Sequence, residues 1–298
     1  IINRFGLDEN TVLLDPFCGS GTTLVEARLL GIPAIGIEIS PLSAMMSRVK
    51  SMFPDDGAQL DDYINRLQVF YQETWDRFLN GREIGSLSYL EIIERPGNAI
   101  EAFPNYDKWF SKEALLGTSI VVEFILSIKD VKYPAEFIAI ALSAKMRSIG
   151  NVDVDVVRAE YRKTPRENVD VIKLVVSQLK KMRKAITEMN STHKDSIRGI
   201  DSVNVIEGSC LSSSIEPGSV SAIITSPPYG VESLSYLRTH LLSFRALEPV
   251  LGVDPYNLGV EVVGSEYLNG GDIDADSLAV MNQSQTCKEF FLRLTEDE

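Results

Sequence analysis

The sequence predicts an α/β protein with a Rossmann-like doubly wound sheet, split by a mainly helical insertion. Three observations predict it. The chain opens with a strand, a glycine-rich turn, a helix, a second strand and a second helix. Two more apolar strands of the same kind follow residue 199. Between the two parts, apolar residues recur with helical rather than strand period.

The opening strand spans residues 11–14 and runs into Asp15-Pro16 and the glycine turn. A helix is expected over 22–30, with Gly31 as its stop signal. A second buried strand covers 34–39 and a second helix 41–50. The central stretch has helical patterns at 60–79, 112–128, 135–146 and 169–189. In the last of these, Val171, Leu174, Val175, Leu179, Met182 and Ile186 form one stripe. Strands are then expected at 203–206 and 220–225, and a helix at 234–247. The chain therefore divides into a first α/β part at 1–53, a helical insertion at 54–198 and a second α/β part at 199–298. In the last part, 248–298 is acidic and poorly periodic, with only 260–263 strand-like. There is no initiator Met. The expectation is that further strands come from outside this chain or from a partner.

Composition bounds the function. Of the 298 residues, 44% are apolar, which suits a packed core. No apolar run approaches the roughly 20 residues of a membrane span, and no secretory leader is visible. Cys18, Cys210 and Cys287 are too scattered for a disulfide framework. With His193 and His240 they make no zinc pattern, so no metal is expected. A reducing, cytoplasmic setting fits. The net charge of −13 counts against nucleic acid if taken globally. It is unevenly spread, however, with basic residues in excess from Lys145 to Arg198.

The turn Asp15-Pro16-Phe17-Cys18-Gly19-Ser20-Gly21-Thr22-Thr23 joins a strand to a helix. Glycines there allow a ligand close to the backbone, and the helix N-terminus favours an anionic group. Glu38 ends the next strand, where a carboxylate can accept hydrogen bonds from ribose hydroxyls. Together they favour a nucleoside. The turn is not a phosphate-binding P-loop. It also departs from the dinucleotide fingerprint, since Leu24 stands where a third glycine is needed.

The second motif, Thr225-Ser226-Pro227-Pro228-Tyr229-Gly230, follows an apolar strand. Two prolines remove two N–H donors, leaving carbonyls to act as acceptors. With the Ser226 hydroxyl these can hold an exocyclic amine, while Tyr229 offers a face for an extruded base.

With both motifs in view, the chain resembles S-adenosyl-L-methionine-dependent amino-methyltransferases that act on DNA. Residues 15–23 look like their cofactor motif, 225–229 like their catalytic motif, and Gly36-Ile37-Glu38-Ile39-Ser40-Pro41 like their ribose-binding strand end. The resemblance implies that Asp15, Phe17, Cys18, Gly19, Gly21, Thr22 and Thr23 form the S-adenosyl-L-methionine site, with Glu38 on the ribose. Ser209 follows Gly208 where the family often has an acid, so this cofactor-edge contact departs from the pattern. Ser226, Pro227, Pro228 and Tyr229 would hold and stack the target base. Serine at the first motif position is similar to N4-cytosine enzymes, so cytosine N4 is favoured over adenine N6. No cysteine follows a proline, so a covalent C5-cytosine route is not expected.

The resemblance implies DNA as partner, with a restriction endonuclease or a second subunit as further candidates. DNA recognition is assigned to Asn151, Arg158, Arg162, Lys163 and Arg166, a loop of phosphate- and base-edge-binding types. The alternatives are an RNA guanine amino-methyltransferase and an inactive, cofactor-retaining DNA-binding subunit.

Overall fold

The computed structural model describes residues 2–52, 54, 57–95, 105–153, 160–193, 202–212, 215–227 and 240–253. All of them lie in the unit Ile1–Ser265. Pro228, Tyr229, Arg158, Cys287 and the strand-like 260–263 fall outside the described residues.

Four parallel strands form the sheet: β1 (Leu13–Asp15), β2 (Ala34–Glu38), β3 (Val203–Glu207) and β4 (Ala222–Ile223). Their spatial order is β3-β2-β1-β4. Leu13 pairs with Ala34 on one side and Ala222 on the other. The chain thus builds the sheet outward from β1 through β2 to β3, then returns to the far side of β1. That reversal is a topological switch point between β1 and β4, the place where open α/β sheets bind ligands beyond their strand ends. The β4 ladder is shorter than the apolar run 220–225 suggests. Ile224 still donates to the Leu14 carbonyl at 3.0 Å, but Pro227 and Pro228 soon after have no N–H to extend the pairing.

The helices are α1 (Thr22–Leu29), α2 (Pro41–Ser51), α3 (Ala58–Leu79), α4 (Tyr89–Ile93) and α5 (Tyr106–Trp109). They continue with α6 (Lys112–Ser127), α7 (Lys132–Ser143), α8 (Met146–Ile149), α9 (Val171–Thr192) and α10 (Leu241–Leu251). Side-chain caps fix several starts: Ser40 on α2, Ser111 on α6 and Asp170 on α9 each accept from the N–H three residues on. Ser88 and Glu91 form a reciprocal capping box on α4, a short helix that periodicity did not predict. Two boundaries differ from expectation for a common reason. α7 begins before Pro134, and α10 continues past Pro249. Proline is tolerated in the first turn and removes only one bond near the last. Gly252, at φ +70°, then ends α10 by donating to the Glu248 carbonyl at 2.9 Å.

One continuous apolar core contains Leu42, Met45 and Val49 of α2, Leu60 and Leu67 of α3, Leu115 and Ile120 of α6, Val175 and Leu179 of α9, and Phe244 and Leu247 of α10. A smaller cluster of Leu13, Cys18, Leu24, Ala27, Ile32, Ala34 and Val203 packs around the strands. The helical insertion therefore shares its core with α2 and α10. Among the described residues no helix is long and apolar enough to cross a membrane.

Polar contacts also join α2 to the insertion. Buried Arg48 pairs with buried Glu136 of α7 at 2.8 Å and with Glu207 at the end of β3 at 3.4 Å. The Tyr133 hydroxyl donates to the Val49 carbonyl at 2.9 Å. Removing one partner of such a pair leaves the other charge buried without compensation. Arg48→Met should lower the stability measured by urea unfolding by about 3–5 kcal/mol. A loss below about 1 kcal/mol, the value of an exposed pair, would show that Glu136 is solvated and the pair is not structural.

Candidate active site

The glycine turn leaves β1 and the Ser-Pro-Pro-Tyr segment leaves β4, so the two motifs flank the switch point from adjacent strand ends. Asp15 links them. Its side chain is buried, and its Oδ1 accepts from the Phe17 N–H at 3.2 Å and from the Thr225 hydroxyl at 2.7 Å. Sequence reasoning placed Asp15 among the cofactor residues. In the structure its carboxylate shapes the turn and holds the first residue of the second motif. Thr225 itself was missed as a site residue, although its place at the head of that motif was the available signal.

Glu38 closes the other side of the turn. Its two carboxylate oxygens accept from the Gly19 N–H at 2.9 Å and from the Ser40 N–H at 2.8 Å. Burial pushes its pKa above the ordinary carboxylate range and the Asp15 charge adds to this, while the N–H donors pull the other way. Gly208, following β3, donates its N–H to the Glu38 carbonyl at 2.9 Å, which brings Ser209 to the same edge. The Ser209 hydroxyl accepts from the Leu211 N–H at 3.3 Å.

The turn fits tightly against its neighbours on the inside. A Cβ on Gly36 would come within 2.6 Å of Leu24 Cδ1 and 2.8 Å of Cys18 Sγ, so glycine lets the turn settle onto β2. Gly21 has φ +83°, and a Cβ there would meet Ser47 of α2 at 2.8 Å. Cys18 is buried beneath, its thiol pushed up to about 12 by desolvation; it lies 3.7 Å from the Ser47 hydroxyl. A thiol so held is a packing residue of the turn rather than a nucleophile. Outward, the turn is open: nothing lies within 4 Å of where a Gly19 Cβ would stand. Thr22 is exposed at the start of α1, with Phe17 and Thr23 half-buried.

After β4, Ser226 and Pro227 are exposed. Pro228 and Tyr229, expected to complete the base site, lie outside the described residues.

The described ends of the expected DNA-binding loop, residues 151–153 and 160–162, pair antiparallel as a narrow ribbon. Val152 bridges Tyr161, Asp153 donates its N–H to the Glu160 carbonyl at 3.0 Å, and Arg162 donates to the Asn151 carbonyl at 3.0 Å. Asn151 is buried. Its side-chain oxygen accepts from the Arg166 N–H at 2.7 Å, and its amide donates to the Lys108 carbonyl at 3.2 Å. It therefore organises the ribbon and has no exposed amide with which to read a base edge. Arg162 and Arg166 donate from Nε to the Thr164 and Gly150 carbonyls, at 3.2 and 3.1 Å, and Lys163 is exposed. Tyr161 is exposed and its ring lies 4.1 Å from that of Trp109. Arg147, whose guanidinium donates to the Asp153 carbonyl at 2.7 Å, helps desolvation hold the His240 pKa down. α8, which carries Arg147, packs against α10. No group of three His, Cys, Asp or Glu suited to a metal occurs among the described residues.

With this geometry in place, comparison with known proteins is informative. A family model described as DNA methylase matches residues 1–45, the segment carrying β1, the glycine turn, β2 and Glu38. The Type II methyltransferase M.BsoBI of Geobacillus stearothermophilus is 27% identical over 265 residues, covering 85% of this chain and 50% of that protein. The chain is thus similar to DNA methylases over its first 45 residues and to Type II methyltransferases over a longer stretch. Type II methyltransferase M.MvaI of Kocuria varians is 29% identical over 143 residues, 47% of this chain and 28% of its own length. Type II methyltransferase M.MjaII of Methanocaldococcus jannaschii is 51% identical over 39 residues, 13% of this chain and 7% of its own length. The chain thus spans half or less of the length of these relatives. No solved structure matches it.

The residues around the glycine turn are of a kind that fits a nucleoside cofactor. The turn is open above Gly19, and a carboxylate stands at the next strand end. Gly36→Ala should disturb that fit. Forcing a methyl against Leu24 and Cys18 should cost about 1–3 kcal/mol in urea unfolding. Wild-type stability in that variant would mean that the turn does not rest on β2 as closely as described.

Proposed function

We propose that this chain transfers a methyl group from S-adenosyl-L-methionine to an exocyclic amine of a DNA base in the cytoplasm, cytosine N4 in preference to adenine N6. The observation that most supports this reading is the Asp15–Thr225 hydrogen bond, 2.7 Å long, which fixes the nucleoside turn beside the Ser-Pro-Pro-Tyr segment. The cofactor supplies an electrophilic methyl on its sulfonium. The chain's own residues bind and align. Glu38 accepts from the ribose hydroxyls, and the open turn at Gly19 admits the ligand against the backbone. Ser226 and the carbonyls around Pro227 and Pro228 accept from the amine, and Tyr229 stacks on the base. Serine rather than an acid at position 226 favours cytosine.

The decisive experiment incubates the protein with methyl-labelled S-adenosyl-L-methionine and either duplex DNA or transfer RNA, followed by nucleoside analysis. N4-methylcytosine in DNA is expected, and Tyr229→Ala should reduce it through loss of about 1–3 kcal/mol of stacking. Label as N6-methyladenine would overturn the base preference. Label in transfer RNA alone would overturn the DNA assignment, and cofactor binding without transfer to either would overturn the enzyme reading.

Glu38 gives the binding step a pH signature. Ribose hydroxyls donate to the ionised carboxylate, whereas burial raises the pKa of the free form. Cofactor affinity should therefore fall as pH drops through that raised pKa, with a proton released on binding below it. Glu38→Gln should bind more weakly by about 1.5–3 kcal/mol and lose this dependence in calorimetry. An unchanged pH profile would remove Glu38 from the site.

DNA recognition is proposed for the ribbon, through Arg158, Arg162, Lys163 and Arg166, with Asn151 as its organiser. Changing these four basic residues to Ala should weaken DNA binding and flatten its salt dependence, by up to about 0.9 in slope for each phosphate no longer neutralised. Cofactor affinity should hold. An unaltered slope would place the DNA surface elsewhere.

A further inference from the structure

The peptide planes of the glycine turn are set from outside it, by α2. Ser47 is fully buried and donates from its hydroxyl to the Gly19 carbonyl at 2.8 Å. One helical turn later, Lys50 donates from Nζ to the Ser20 carbonyl at 2.9 Å and to the Ser20 hydroxyl at 3.1 Å. Residues three apart share a helix face, so one face of α2 takes two consecutive carbonyls of the turn. A trans peptide points each C=O opposite to the next N–H. Drawing the Gly19 carbonyl onto Ser47 therefore turns the Ser20 N–H away from α2. The Gly21 N–H, opposite the Ser20 carbonyl in the same peptide, closes the turn on the Cys18 carbonyl at 2.8 Å. Gly21 presses against Ser47 itself, so the spacing of α2 from the turn is fixed by backbone contact as well.

α2 is in turn held firmly. Arg28 of α1 donates to the Ser51 carbonyl, Tyr133 of α7 donates to the Val49 carbonyl, and Arg48 is paired with Glu136 and Glu207. Its Ser47–Lys50 face is a fixed template rather than a mobile surface.

We propose that Ser47 and Lys50 are positioning residues for the cofactor, acting through the turn and not by touching the ligand. Ser47 orients the peptide between Gly19 and Ser20, Lys50 the peptide between Ser20 and Gly21, and together they hold the turn in the form that binds. This rests on the reading of the turn as the S-adenosyl-L-methionine site.

The test titrates the protein with S-adenosylhomocysteine by calorimetry, comparing wild type with Ser47→Ala, Lys50→Met and Lys50→Arg. Ser47→Ala and Lys50→Met should each bind about two- to tenfold more weakly, the effect of one net hydrogen bond, at unchanged stoichiometry. Lys50→Arg keeps the donors and should restore most of the affinity. In turnover, KM for S-adenosyl-L-methionine should rise in the two weakened variants while kcat and KM for DNA hold. Wild-type affinity in both variants would overturn the proposal, as would wild-type affinity with a reduced stoichiometry, which is the mark of a folding defect alone. Failure of the wild-type protein to bind S-adenosylhomocysteine would instead overturn the reading of the turn, and the proposal with it.

Discussion

Beyond the strand ends, the site hangs on a buried carboxylate. Asp15 stands at the end of β1, and its Oδ1 receives the Phe17 N–H on its own loop and the Thr225 hydroxyl from the loop after β4. A buried charge needs hydrogen bonds to offset lost hydration. Here those bonds come from both motifs at once, so satisfying the charge also sets the motifs side by side. The parallel order β3-β2-β1-β4 makes this possible, because it puts β1 and β4 next to each other although Asp15 and Thr225 are 210 residues apart in the chain.

Around that centre the molecule is tied together by α2. On one side the helix holds the carbonyls of Gly19 and Ser20. On the other it joins the apolar core of the insertion through Leu42, Met45 and Val49, and engages α7 through Arg48 and Tyr133. A long insertion between β2 and β3 therefore does not interrupt the α/β part. It replaces a simple crossover helix with a helical layer that packs against the same strut as the glycine turn.

The overall acidity of the chain coexists with a local cluster of three cations because exposed charges separated by more than about 8–10 Å are largely screened at moderate salt. Arg162, Lys163 and Arg166 cluster there with the exposed ring of Tyr161 resting on Trp109. The ribbon is tied to Arg147 of α8, and α8 packs against α10, the helix that follows the Ser-Pro-Pro-Tyr segment in the chain.

Local pattern was enough for much of this. Runs of apolar residues, the glycine turn, the Ser40-Pro41 helix start and the helical stripe on α9 follow from backbone sterics and burial of one face. Sequence alone therefore determined the α/β class, most element positions and the two motifs. Neighbours distant in the chain decided the rest. Thr225 and Ser47 are ordinary hydroxyl residues until the sheet brings one to Asp15 and α2 brings the other to Gly19. Asn151 has the composition of a base reader, yet tertiary packing buries it as the organiser of its ribbon. Gly36 has no room for a side chain only because Leu24 and Cys18 fold back over it. Periodicity records which face of an element is buried. It carries no information on which distant group meets a given polar atom, and that pairing is what the tertiary structure supplied.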